Sequence, residues 1–215
     1  MFALLLPAVL ATGNTAPVSP VPPVTVDFGA RGKVAVPRPA PQADFEAQLR
    51  QVLMSPRRDA AAVQFCWDIP KYAFCRVMLA RPGQSVLTLK NSDVRKLLWT
   101  PDGKYLVGAG ANTVRLWNLV GGVRAHVPGL EPNQPNERTV TRDITWLWLE
   151  QGKLCVAMLS DVFRTSGGPA LRQRTSTTRY QLPALRPLKV VGFPAGGTGE
   201  APCSVPHTEP QTPPS

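Results

Sequence analysis

From Ala61 onward the chain breaks into short apolar runs divided by polar, Gly- or Pro-bearing turns. Within the runs the side chains alternate at period two, as on a pleated strand. In Thr113 to Asn118, for example, Val114, Leu116 and Asn118 fall on one face and Thr113, Arg115 and Trp117 on the other. About ten or eleven strands follow from this pattern, near 62–67, 73–79, 85–89, 94–99, 104–109, 113–118, 123–127, 143–149, 153–159, 176–182 and 187–192. Short turns between consecutive runs favour antiparallel pairing, because parallel neighbours need long crossovers. The expected architecture is an all-β antiparallel meander. Upstream the spacing changes: Phe45, Leu49, Val52 and Leu53 recur at helical intervals behind Asp44, a residue suited to cap a helix. They predict one short amphipathic helix over 44–53, packed on the neighbouring sheet.

The turns carry a weak internal repeat. Trp67, Trp99 and Trp148 each end an apolar strand, and Lys71, Lys104 and Lys153 each open the next. Unequal spacing between the three implies loop insertions between similar hairpins rather than a strict array. The middle copy is the most explicit. Leu97-Leu98-Trp99 meets Thr100-Pro101-Asp102-Gly103, where Gly103 can take the positive φ of a tight reversal; Lys104 to Gly108 and Thr113 to Asn118 then supply two more strands. Residues 94–119 resemble one blade of the WD40-type β-propeller family, with weaker similarity over 61–192. Trp117-Asn118 stands where that family usually has Trp-Asp, and the Gly-His pair that often accompanies it is missing. The resemblance implies propeller-like hairpins within an incomplete or distorted propeller or sandwich, since a closed propeller uses four or more blades and this chain supplies roughly three. Uncovered strand edges would invite a homo-oligomer or another strand-adding partner.

Composition divides the rest. Residues 1–11, Met1 to Ala11, read as the apolar core of a secretory signal, too short to span a bilayer. Pro17, Pro20, Pro22, Pro23, Pro37, Pro39 and Pro41 mark 12–41 as a Pro-rich linker. Residues 42–193 form the β domain with its leading helix. Residues 194–215, rich in Pro and poor in large apolar groups, read as a disordered tail. Nothing else approaches the length of a membrane span.

Four cysteines permit three fully paired connectivities. Cys66 and Cys75 are the candidate disulfide: they flank a turn around Asp68 to Lys71 that would bring their strands together. Unpaired buried thiols are the alternative. No cysteine or histidine cluster has metal-binding spacing, and no cofactor is expected. His126 and His207 lie outside any nucleophile or acid–base motif, and GxSxG, HExxH and Walker-type glycine patterns are missing. An enzyme is therefore not expected. The net charge of +10 is uneven, with Arg164, Arg172, Arg174 and Arg179 in a segment lacking acids. These arginines are candidate anion-binding residues, with 165–176 read as a flexible cationic loop and Tyr180 as a nearby stacking surface for nucleic acid.

Two functional readings result. The first is a non-enzymatic, exported binding or scaffold protein, periplasmic, cell-envelope or secreted, presenting loops of a WD40-like domain to a protein or anionic polymer. The second is a basic intracellular protein that binds nucleic acid or another polyanion through the arginine-rich loop.

Overall fold

The computed structural model describes residues 21–42, 44–69, 72–110, 112–128, 135–188 and Cys203. Among these the chain is all-β apart from one 3-10 turn, Gly29–Arg31. A hairpin, β1 (Val24–Asp27) and β2 (Lys33–Val36), precedes three sheets of four strands each. The first contains β3 (Gln48–Met54), β4 (Ala61–Ile69), β5 (Tyr72–Ala80) and β6 (Leu87–Thr88). The second contains β7 (Lys96–Trp99), β8 (Tyr105–Gly110), β9 (Thr113–Asn118) and β10 (Val123–His126). The third contains β11 (Glu137–Glu150), β12 (Lys153–Arg164), β13 (Arg172–Gln181) and β14 (Arg186–Pro187). Every sheet is a meander in which each strand pairs antiparallel with the next.

Strand alternation gives the inner sheets two apolar faces, and these faces stack the layers. In β4, Val63, Phe65 and Trp67 turn toward Val26, Phe28 and Val36 of the hairpin. Ala62 of β4, with Val77 and Leu79 of β5, packs against Val94, Leu106 and Trp117 of the second sheet. The opposite face of the second sheet, Val107, Val114 and Leu116, meets Ile144, Leu154, Val156 and Met158 of the third. On the outer face of that third sheet Cys155 is bonded to Cys203, and both are buried. A hairpin thus covers one end of the stack and a disulfide-anchored cysteine sits on the other. The hairpin keeps its end of the stack from leaving a bare apolar face.

Most predicted strands are present, and four expectations need correction. No helix forms over 44–53; Gln48–Met54 is strand β3. The cause is a β-bulge between Leu49 and Gln51: Leu49 pairs with Phe65 and Val52 with Val63, so residues three apart share a face and imitate helical spacing. The linker expected over 12–41 contains the β1–β2 hairpin, and its prolines at 22, 23, 37, 39 and 41 lie outside the strands. Arg38 ties this segment down by donating to the carbonyls of Pro22 and Ala47 at 3.2 and 3.1 Å. The expected loop over 165–176 is shorter, because β13 already begins at Arg172. The long third-sheet strands β11 and β12 also extend beyond the predicted 143–149 and 153–159. The signal reading of 1–11 and most of the tail reading of 194–215 fall outside the described residues.

Strand β8 and the segment leading into β7 approach closely at glycine. An added Cβ at Gly110 would lie 2.8 Å from Val94 Cα and 3.0 Å from the Asp93 carbonyl oxygen, backbone atoms that cannot rotate away. Gly110→Ala is expected to destabilise the fold by about 2 kcal/mol, the ordinary cost of overpacking. The check is a lower urea midpoint with an unchanged m-value.

Candidate binding groove

The four arginines singled out by sequence do not form one free cluster. Arg172 grips Glu137 with two nitrogens, at 2.8 and 2.9 Å. Arg179 is buried and donates to Glu150 at 2.9 Å. Arg174 is half-buried opposite Ser160 and is engaged rather than free. Arg164 is exposed at the end of β12, where its register partner is Glu137. The acids that balance these cations come from β11, remote in sequence, so a local charge count could not see them. Tyr180 is fully buried and offers no stacking face. Its hydroxyl lies 3.1 Å from His126 Nδ1, across the second and third sheets, and burial raises its pKa. His126 is therefore an inter-sheet contact, and His207 lies outside the described residues.

The expected disulfide is present: Cys66 and Cys75 are direct partners on β4 and β5 and are bonded. The second bond, Cys155–Cys203, had no sequence signal, because its partners are 48 residues apart and nothing local aligns them. Glu150, Cys155 and Cys203 place three ligand-type atoms within 4.8 Å of one another. Both sulfurs are spent on each other, however, which removes the thiolates that a metal would need.

A different site is assembled by the fold. The opening strands of all three sheets, β3, β7 and β11, converge at a groove of about 330 Å³ lined by Arg50, Asp68, Arg95, Lys96 and Asp143, with the Cys66–Cys75 disulfide in its wall. Arg95, just before β7, forms an ion pair with Asp143 of β11 at 3.2 Å and so clasps the second sheet to the third. Arg50 occupies the bulge of β3, and it is exposed, as are Lys96 and Asp68. Three cations face two carboxylates, one of them already paired. Such a surface can hold polar or acidic groups by exposed, salt-screened contacts. Nothing in it resembles a nucleophile with a base at hydrogen-bond distance.

The turns around the sheets are built for rigidity. Asn118 accepts hydrogen bonds from the backbone N–H groups of Val120 and Gly122 at 3.1 and 2.8 Å and closes the β9–β10 reversal. In the β7–β8 turn, Thr100 donates to Asp102 at 2.6 Å, and this hydrogen bond leads the effects that hold the Asp102 carboxyl below its ordinary pKa. No helix among the described residues is long and apolar enough to cross a membrane. The chain matches no protein-family model and no curated protein.

Proposed function

We propose that this is a non-enzymatic binding or scaffold protein of an oxidising compartment, periplasmic, cell-envelope or secreted, with the three-sheet groove and adjoining loops as its contact surface. The observation that carries the reading is the complete pairing of the cysteines: one bond joins the paired strands β4 and β5, the other joins β12 to Cys203, and neither forms a CxxC motif, the pattern of structural rather than redox-cycling disulfides. The apolar start of the chain, Met1 to Ala11, supports export. Relationship to the WD40-type repeat family belongs to the same proposal, supported by residues 96–118 forming three successive strands that end on Trp117-Asn118. The partner fitted by Arg50, Arg95 and Lys96 is a protein surface or polymer bearing acidic groups. Strand addition is a weaker route to association: β6 and β14 are two residues long, and β11 carries two register shifts, features that blunt sheet edges.

The intracellular polyanion-binding alternative is less well supported, since Arg172 and Arg179 already hold carboxylates and Tyr180 is buried. Intact-mass analysis of the protein from its native host, with and without thiol alkylation, separates the two. Export predicts loss of the N-terminal segment and no alkylation without reductant. An intact N-terminus with four alkylated thiols would overturn the reading.

A further inference from the structure

The limits on strand addition at β6, β11 and β14 do not extend to β3. It is the edge strand of the first sheet, seven residues long, paired with β4 on one side and with no strand on the other among the described residues. Away from β4, only its Leu53 carbonyl is engaged, accepting the Trp99 Nε1–H at 2.9 Å. The bulge at Arg50 puts Leu49 and Val52 on the face they share with Phe65 and Val63. The β1–β2 hairpin covers that face, but the cover stops short of the middle of β3. Phe65 and Val63 are fully buried, whereas Leu49 and Val52 remain 40% and 41% exposed. Exposed apolar side chains scattered singly need no explanation. These two instead flank a row of unpaired backbone groups, which is a template for a further strand.

The groove side of the same edge is cationic. Arg50 and Lys96 are exposed there and hold no carboxylate among the described residues, Arg95 is paired with Asp143, and Asp68 is the remaining acid of the wall. Alternate side chains of a strand point to opposite faces of its sheet. A strand paired with β3 would therefore lay one set over Leu49 and Val52 and the other toward Arg50 and Lys96. We propose that β3 takes up an extended peptide segment of a partner protein, in which apolar and acidic residues alternate, as a fifth strand of the first sheet. The inference rests on the acidic partner proposed for the groove and adds how that partner is held. Backbone hydrogen bonds supply affinity and the two dissimilar faces supply selection. A second copy of this chain fits less well, because β3 itself carries no acid and each copy brings a net charge of +10.

The test is titration of the full-length protein with three capped peptides: alternating valine and glutamate, the same peptide with every amide N-methylated, and oligoglutamate. N-methylation keeps the side chains and removes the backbone donors. The alternating peptide is expected to bind saturably and to slow amide hydrogen exchange in β3. N-methylation should weaken binding by about 10- to 100-fold, the loss of two or three backbone hydrogen bonds. Val52→Thr should weaken the alternating peptide by about 3-fold or more, and Arg50→Gln should weaken both acidic peptides by about 2- to 5-fold. Arg186→Gln, exposed on β14, should change neither. Val52 and Arg50 are exposed, so both variants are expected to melt as the parent does. Equal affinity for the N-methylated and unmodified peptides, or for oligoglutamate and the alternating peptide, would overturn strand addition while leaving the groove as an acid-binding surface. No saturable binding of any of the three would overturn both readings. Self-association of the parent that Val52→Asp abolishes would assign the β3 edge to a second copy and overturn the peptide partner.

Discussion

Replacing Trp117 with alanine is expected to cost about 3–5 kcal/mol, the range for deleting a large buried aromatic side chain. Trp117 is fully buried between the first and second sheets, and its Nε1–H donates to the Lys90 carbonyl at 2.9 Å. Its six-membered ring lies over Gly108, where an added Cβ would come within 2.7 Å of the indole. Truncation therefore empties the inter-sheet core and removes the donor that serves Lys90. Trp117→Phe fills part of the space but still loses the N–H, and about 1–2 kcal/mol is expected. Gly108→Ala should be less costly in the Trp117→Phe background than in the parent, because the smaller ring relieves the clash. A urea double-mutant cycle reads this coupling directly. Strict additivity would show that ring and glycine are not in the contact described.

The second large effect is expected at the Cys155–Cys203 bond. Its partners are 48 residues apart, and the chain-entropy estimate for a loop of that length is about 4 kcal/mol at 25 °C. The Cys66–Cys75 bond spans only 9 residues, and the same estimate gives about 2.5 kcal/mol. The paired replacement Cys155→Ser/Cys203→Ser should therefore lower stability more than Cys66→Ser/Cys75→Ser. Cys155 is fully buried on the outer face of the third sheet, so a hydroxyl there adds to the loss. Guanidinium melts of the two variants under non-reducing conditions provide the comparison. The reverse order would mean that the long bond anchors Cys203 without constraining the unfolded chain.

These two expectations differ in how far the sequence foreshadowed them. Trp117 stands in an alternating run, so its strand and face were readable, as was the Cys66–Cys75 hairpin pair. Neither the partner of Cys155 nor the acids opposite Arg172 and Arg179 had a local signature. The bonds that join them cross the third sheet or reach to Cys203. The binding groove shares this property: Arg50, Arg95 and Asp143 belong to three separate sheets and meet only after the sheets stack.

What the sequence by itself determined is the all-β class, the antiparallel meander from residue 61 onward and the positions of most turns. These follow from side-chain alternation and from turn residues, both of which act within a few residues. Tertiary structure decided what local rules misread. A bulge made β3 look helical, and burial of Val26, Phe28 and Val36 against the first sheet turned part of an apparent linker into a hairpin. It also decided which cations are already neutralised, as Arg172 and Arg179 are by the acids of β11. Strand periodicity is a property of neighbours along the chain, whereas charge pairing and coverage of apolar faces depend on which strands the stack brings together.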